Sequence, residues 1–338
     1  MRPQELIDES IVSWLLEHSD PSVRYWALQN LQGLKPAHEE VRKAQDVIMA
    51  SDCVRRILSA QNTNGAWGDA NDMYNPKYTA TTHSLLILAE LGAKRTQAIE
   101  RAIEHLFRFQ RTSGHFLGDL PKTEKGRSSA VKDGCCLDGN ILYYLSHFGF
   151  LDDSRTQSLI DFQVEYYNWE NTGWPCRAYP INPERVFPSN CYMGRIKNLK
   201  GLASIPSEKR SKDVQKIIRS EIEVILENQL FRYLRNPDGS RKAKVGWTRF
   251  GFPLFYQSDV LEVLDMLTGL GVRDERMQDS IDLVVKNRRD DGKWILKNTY
   301  NGKMLCNIEE KGQPSKWITL RALRVLKRLY GEDLFQRA

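Results

Sequence analysis

Several things are scarce or missing in this chain of 338 residues. No stretch reaches the ~18 uncharged apolar residues that a membrane-spanning helix needs. The opening MRPQELIDES lacks the basic-then-apolar pattern of a secretory signal, so a protein of the cytoplasm is expected. Six cysteines are too few for a disulfide scaffold, and their spacing is not that of a zinc finger. No segment alternates apolar and polar residues as a strand does, which leaves an all-α chain. No basic cluster with interleaved aromatics marks a nucleic-acid module, so nucleic acid is not an expected partner.

What is present is apolar mass and a repeat. Hydrophobic residues make up 41% and aromatics 10%, enough for a large packed interior, and the formal charge of +6 suits an anionic partner or a solvated basic surface. A short phrase returns after successive amphipathic segments: Gln61-Asn-Thr-Asn-Gly65-Ala-Trp67, then Gln110-Arg-Thr-Ser-Gly114-His-Phe116, then Asn168 to Gly173-Trp174. A degraded copy runs from Pro237-Asp-Gly239 to Gly246-Trp247, and a fifth is Asn287 to Gly292-Lys-Trp294. The amide side chain can satisfy carbonyls at a helix end, the glycine supplies a left-handed turn, and the aromatic folds back onto neighbouring helices. The first glycines stand 49 and then 59 residues apart, a period of two helices and two connections.

Apolar residues at helical spacing predict one set of helices at about 21–33, 78–92, 135–149, 190–203, 254–270 and 316–330, and a more amphipathic set at about 38–60, 96–111, 153–167, 210–233 and 275–288. The opening helix, 4–17, pairs with 316–330 and closes a ring of six hairpins. The expected fold is therefore an α/α toroid, residues 1–338 forming one domain. Asp20-Pro-Ser-Val-Arg-Tyr-Trp26 also reads as a HEAT-type hairpin within 1–60, which makes an open solenoid the structural rival.

The Gln-x-x-x-Gly-x-Trp phrase resembles the QW motif of the terpenoid cyclase and protein prenyltransferase superfamily, over nearly the whole chain from Asp20 to Tyr330. That superfamily includes cyclases, zinc prenyltransferases and members that catalyse nothing. Its protonating cyclases carry Asp-x-Asp-Asp or Asp-Cys-Thr-Ala-Glu, since a desolvated acid must start the reaction. Neither motif is present, which argues against protonation-initiated cyclisation. Asp133-Gly-Cys135 resembles the segment from which farnesyltransferase-type β subunits take two zinc ligands, and Ser189-Asn-Cys191-Tyr192 stands where that family has His-Thr-Cys-Tyr, with Ser189 in place of the ligand histidine. The chain also resembles bacterial and archaeal toroids described as prenyltransferase-like, in Cys136-Leu-Asp-Gly-Asn140 and in Pro314-Ser-Lys-Trp-Ile-Thr-Leu320.

Inner helices of a toroid all start at one mouth, and five cysteines fall at or near those starts: Cys135, Cys136, Cys176, Cys191 and Cys306. Cys53, on an outer helix, reads as packing. A helix amino terminus favours the thiolate that binds metal. Cys136, Cys176 and Cys191 with Asp133 could make a tetrahedral zinc site, with Cys135 the substitute for Cys136; small apolar packing is the other reading of these thiols. His83, a turn below its helix start, could be a ligand or a hydrogen-bonded wall residue. The same mouth gathers Tyr192, Trp247, Tyr256 and Trp317 with Arg195, Arg249, Lys303 and Lys316, a set that suits an isoprenoid diphosphate: rings against the chain, cations on the phosphates. Asp138 and Asp259, near inner helix starts, could act as acid or base, or simply favour helix initiation. Two functions are expected from this: a zinc-dependent toroid acting on an isoprenoid-type or other elongated apolar substrate, and a non-catalytic toroid that binds a protein, peptide or lipid in its bore.

Overall fold

In a computed structural model of the chain, residues 9–120, 135–174 and 191–331 are described. Six helices form an inner wall: α2 (Pro21–Asn30), α5 (Thr81–Glu90), α7 (Cys135–His147), α9 (Tyr192–Ala203), α11 (Val260–Gly269) and α13 (Lys316–Tyr330). Outside them lie α1 (Glu9–Leu15), α3 (Glu39–Ala50) with α4 (Asp52–Ser59), α6 (Gln97–Phe107), α8 (Ser154–Glu165), α10 (Lys212–Glu227) and α12 (Gln278–Lys286). The composition of each layer explains its place. Every residue of α5 is buried, as a helix apolar around its circumference requires. On α6, Ile99, Ala102, Ile103 and Leu106 face inward while Gln97, Arg101 and Glu104 meet solvent.

Six of the helices start on an Asp, Ser or Thr side-chain cap. Asp20, Thr96, Asp153, Ser211, Asp259 and Ser315 each accept a backbone N–H from the first turn that follows them. Three predicted helices differ most from their predicted extents, the span at 210–233 ending already at Glu227. The span at 38–60 breaks at Ser51, whose extended backbone and Oγ bond to the Ile48 carbonyl separate α3 from α4. The span at 254–270 begins only at Val260, because Asp259 is the cap.

The ring closes, and an open solenoid is ruled out by direct bonds between each neighbouring pair of inner helices. The Trp26 indole donates to the Glu90 carbonyl at 2.9 Å, Thr82 pairs with the Tyr144 hydroxyl at 3.2 Å, Lys197 meets Glu262 at 2.7 Å, and Arg324 meets Asp265 at 2.6 Å. Between α7 and α9 the approach is closest: a Cβ at Gly139 would overlap the Lys197 carbonyl. The last link joins end to beginning, Lys327 Nζ donating to the Leu31 carbonyl at 2.7 Å.

The repeated turns staple the outer layer in a way the sequence does not reveal. Gln61 Nε2 donates to the carbonyls of Gly65 and, at 2.8 Å, Ala98 in the first turn of the next outer helix. Gln110 does the same to Gly114 and Arg155. The amide thus bridges successive hairpins and does not cap its own helix. The indoles cap instead: Trp67, Trp174 and Trp294 donate to Ile57, Gln163 and Val284, near the end of the preceding outer helix. The fifth turn sets Gly292 against Ile11 of α1, which completes the outer circle. The copy at 237–247 differs. Gly239 tips a small antiparallel hairpin between β1 (Leu234–Arg235) and β2 (Arg241–Lys242), and Trp247 packs on Tyr192 and Tyr233. A second two-residue ladder pairs β3 (Trp294–Ile295) with β4 (Pro314–Ser315) at the foot of α13.

Candidate functional site

The amino-terminal mouth, where the cysteines and aromatics were expected to form a site, is filled by side chains among the described residues. Tyr78 stacks on Tyr300 at 4.4 Å, and both pack on Phe255, which lies 5.2 Å from His83. The Tyr300 hydroxyl bonds Gln257. What remains beneath is a cavity of about 20 Å³ lined in part by His83, Cys136, Asn140, Phe255 and Tyr256. Burial holds His83 neutral, pushing it down to about 3, and its Nδ1 has no hydrogen-bond partner.

The thiols do not all converge. Cys135 is buried with its sulfur against Gly194, turned from the small cavity that Cys136 lines, and Cys191 stands just before α9 without a side-chain cap bond. Asp133 and Cys176 lie outside the described residues. Cys306, expected at the mouth, is joined by a disulfide to Cys53, 253 residues earlier, with Cα atoms 5.2 Å apart. Cys53 is therefore a cross-link and not only packing. Among the described residues no group of three or more His, Cys, Asp or Glu side chains is placed to hold a metal.

The expected acids and two of the four expected cations have partners of their own. Arg195 is buried on Glu221 at 2.6 Å and on the Thr172 carbonyl, Lys316 ties α13 to Glu17 at 2.6 Å, and Arg249 and Lys303 are exposed. Tyr192 donates to the Leu230 carbonyl and stacks on Tyr233 at 4.3 Å, and Tyr256 lies 5.7 Å from the Lys77 ammonium. Asp138 accepts the Phe116 N–H at 3.0 Å, which is the bond Thr81 makes to Trp67 and Thr319 to Trp294. It anchors a turn to the following inner helix. Asp259 accepts from Gly251 and Glu262, both at 2.8 Å, and burial raises it to about 6.

Glu309 is a second acid displaced upward. Burial pushes it to about 7, against its bonds with Ser315 and the N–H groups of Trp317 and Lys316. A carboxyl whose folded pKa lies above its unfolded value stabilises the fold fully below about 4.5, and that contribution is lost as pH rises through about 7. At ~1.4 kcal/mol per pH unit it amounts to about 3 kcal/mol. Urea melts from pH 4.5 to 8 should show this decline in the wild type and a flatter profile in Glu309→Gln; equal slopes would put Glu309 in water.

The ring opens at the other mouth. A cavity of about 310 Å³ runs into the bore, and each of the six inner helices lines it. On α13 the lining residues are Trp317, Leu320, Arg321, Arg324 and Arg328, one helical face about 16 Å long at ~1.5 Å per residue. Of the residues expected to bind substrate, Trp317 alone is among them; it stacks on Phe252 at 4.0 Å. Trp26, Tyr143, Met266 and Leu270 extend the apolar wall.

Charged groups cross this bore in a connected network. Lys200 bonds Glu90 and lies 3.4 Å from Glu262; Arg321 reaches Glu90 at 2.9 Å; Lys197, wholly buried, takes both oxygens of Glu262. Arg324 and Arg328 share Asp265. Burial alone would raise Glu90, but Lys200 and Arg321 hold it down to about 2; Glu262 and Asp265 are lowered by their own cations in the same way. Sequence reasoning missed this network. Its signal was a charge at core-facing positions of inner helices: Arg321, Arg324 and Arg328 repeat at the spacing of Trp317 and Leu320, on a face that apolar periodicity assigns to the interior.

The fold and this site define the class: an α/α toroid with a charged, half-open bore. No protein-family model matches the chain, and no curated protein does. Among solved structures it is similar to a protein from Actinoplanes, 12% identical over 95% of this chain and 98% of that one, with a TM-score of 0.43. It is also similar to the type II terpene cyclase MstE from Scytonema, 13% identical over 83% of this chain and 96% of that one, with a TM-score of 0.32, and to a variant of MstE in complex with geranylgeranyl dihydroxybenzoate, with a TM-score of 0.30. At such scores the likeness carries no activity across. Among the described residues no helix is long and apolar enough to cross a membrane.

Proposed function

We propose that the chain is a small-molecule-binding toroid of terpene-cyclase-like build, whose ligand is an elongated, largely apolar molecule of isoprenoid type lying along the bore. The observation that carries this reading is the cavity itself: about 310 Å³, lined by all six inner helices, with Trp26 and Trp317 on its wall. That volume is at the lower end of the range of ligand pockets, which suits one extended chain. Binding fits better than protonation-started cyclisation, because Glu90, Glu262 and Asp265 are all held in the ionised form by their cations.

Intrinsic tryptophan fluorescence during titration with farnesol tests this. Wild type should give a saturable change, at least tenfold weaker in Ala203→Phe, which narrows the bore. A wild type with no saturable response overturns the reading.

A zinc site at the amino-terminal mouth is a second reading, favoured by one observation: buried His83, whose Nδ1 has no hydrogen-bond partner, lines the same small cavity as Cys136. His83 and Cys136 would supply two ligands, the others coming from among Cys191, Asp133 and Cys176; with three protein ligands zinc would act as a Lewis acid, and with four as a structural tie. Metal content by mass spectrometry decides it. About one zinc per native chain, lost in both Cys136→Ser and Cys191→Ser, supports the site; a folded wild type free of metal removes it.

A further inference from the structure

We propose that the polar wall of the bore is a binding site for a small dianionic oxyanion of the phosphoryl class, held by Lys200, Arg324 and Arg328. The proposal rests on the bore being a ligand site, and deepens that reading by naming the head group.

Charge balance is the main argument. Five cations, Lys197, Lys200, Arg321, Arg324 and Arg328, are paired with only three carboxylates, each of which is shared: Glu262 by the two lysines, Glu90 by Lys200 and Arg321, Asp265 by Arg324 and Arg328. Two positive charges therefore lack a full counter-charge in a place largely shielded from water. Buried charge without a matching partner is costly, and an entering anion would relieve that cost. Burial pushes Lys197 and Arg328 below their ordinary range, whereas Glu90 and Glu262, against burial, hold Lys200 and Arg321 above it.

Two other sources of negative charge reduce the excess without placing a further carboxylate on Lys200, Arg324 or Arg328 in the cavity. Asp259 is felt by Arg321 and, although burial raises it to about 6, it is ionised above pH 7.5 and offsets part of the excess; its oxygens are held by backbone N–H groups and do not bond the cations. The carboxy-terminal carbonyls of the inner helices also draw cations to this mouth, yet that effect fades within the last turn. Lys200 and Arg328 stand in the last turns of α9 and α13, where those carbonyls offset part of their charge, whereas Arg321 and Arg324 stand more than a turn further in.

Geometry points to the same class of ligand. Arg328 meets Asp265 through Nη1 alone and its side chain is 32% exposed, at the entrance of the cavity. Guanidinium forks beside an ammonium suit the several oxygens of a tetrahedral phosphoryl group. That group could arrive as free phosphate or as an ester whose apolar body lies along the bore.

Calorimetric titration of the whole chain with inorganic phosphate and with phenyl phosphate, at constant ionic strength in chloride and above pH 7.5, separates the possibilities. Saturable binding of at least one of them is expected, weakened at least tenfold in Arg328→Gln and not weakened in Asp265→Asn, which removes a competing carboxylate. Tenfold tighter binding of phenyl phosphate assigns the ester, and equal binding assigns the free ion. No binding beyond chloride, or an Arg328→Gln variant that binds as wild type does, overturns the proposal. Farnesol titration of the same samples distinguishes the two failures: farnesol bound without phosphate removes only the oxyanion site, whereas loss of both removes the bore as a ligand site.

Discussion

Glu90→Gln is expected to lower the stability of the fold by about 3–5 kcal/mol, the range for removing one partner of a buried ion pair. Glu90 is buried at the end of α5 and balances Lys200 from α9 and Arg321 from α13, so its loss leaves two cations without that counter-charge. Its pKa gives an independent check. A carboxyl lowered to about 2 stabilises the fold at all pH values above about 4.5, and the contribution disappears as pH falls towards 2. That part is about 3 kcal/mol at ~1.4 kcal/mol per unit, and an acid titration of stability should lack it in Glu90→Gln. A double-mutant cycle with Arg321→Met should give a coupling of at least ~1 kcal/mol. A loss below ~1 kcal/mol for the single variant would mean that water solvates this network.

Gly114→Ala is the second large effect, about 3 kcal/mol. Gly114 has φ of +98°, a backbone that a residue with a Cβ adopts at a cost of ~1–2 kcal/mol. Its Cβ would also overlap the carbonyl of Ser158 on α8, and that backbone is held by the Gln110 staple to Arg155. Gly149→Ala is the matched control: φ there is +75°, with no atom near the added carbon. Thermal or urea unfolding of both should place Gly114→Ala at least ~1 kcal/mol below Gly149→Ala, the excess being the close packing of turn on helix. Equal losses would show that the turn glycine is needed for its backbone angle alone.

These two residues illustrate how far the sequence can be read. Gly114 was legible, because a left-handed turn after an amphipathic helix is a local matter and the phrase around it repeats. Glu90 was not, because its partners lie 110 and 231 residues further along the chain. The cysteines show the same limit: the starts of α7 and α9 could be located, but not that Cys135 turns to Gly194 or that Cys306 meets Cys53. Asp138 was read as a candidate acid from its place at a helix start, yet only the spatial match with Thr81 and Thr319 reveals an anchor for a turn.

By itself the sequence determined the helices, their two layers and the order of hairpins, since these follow from apolar spacing, caps and turn glycines within some tens of residues. It also carried the cue for ring closure, an opening helix left without a partner. The tertiary structure decided which of the described side chains pack into one mouth and which line the cavity at the other, and which charges neutralise one another across the bore. Those depend on side chains that six separate helices bring within 3 Å or so of each other, a distance that no local periodicity encodes.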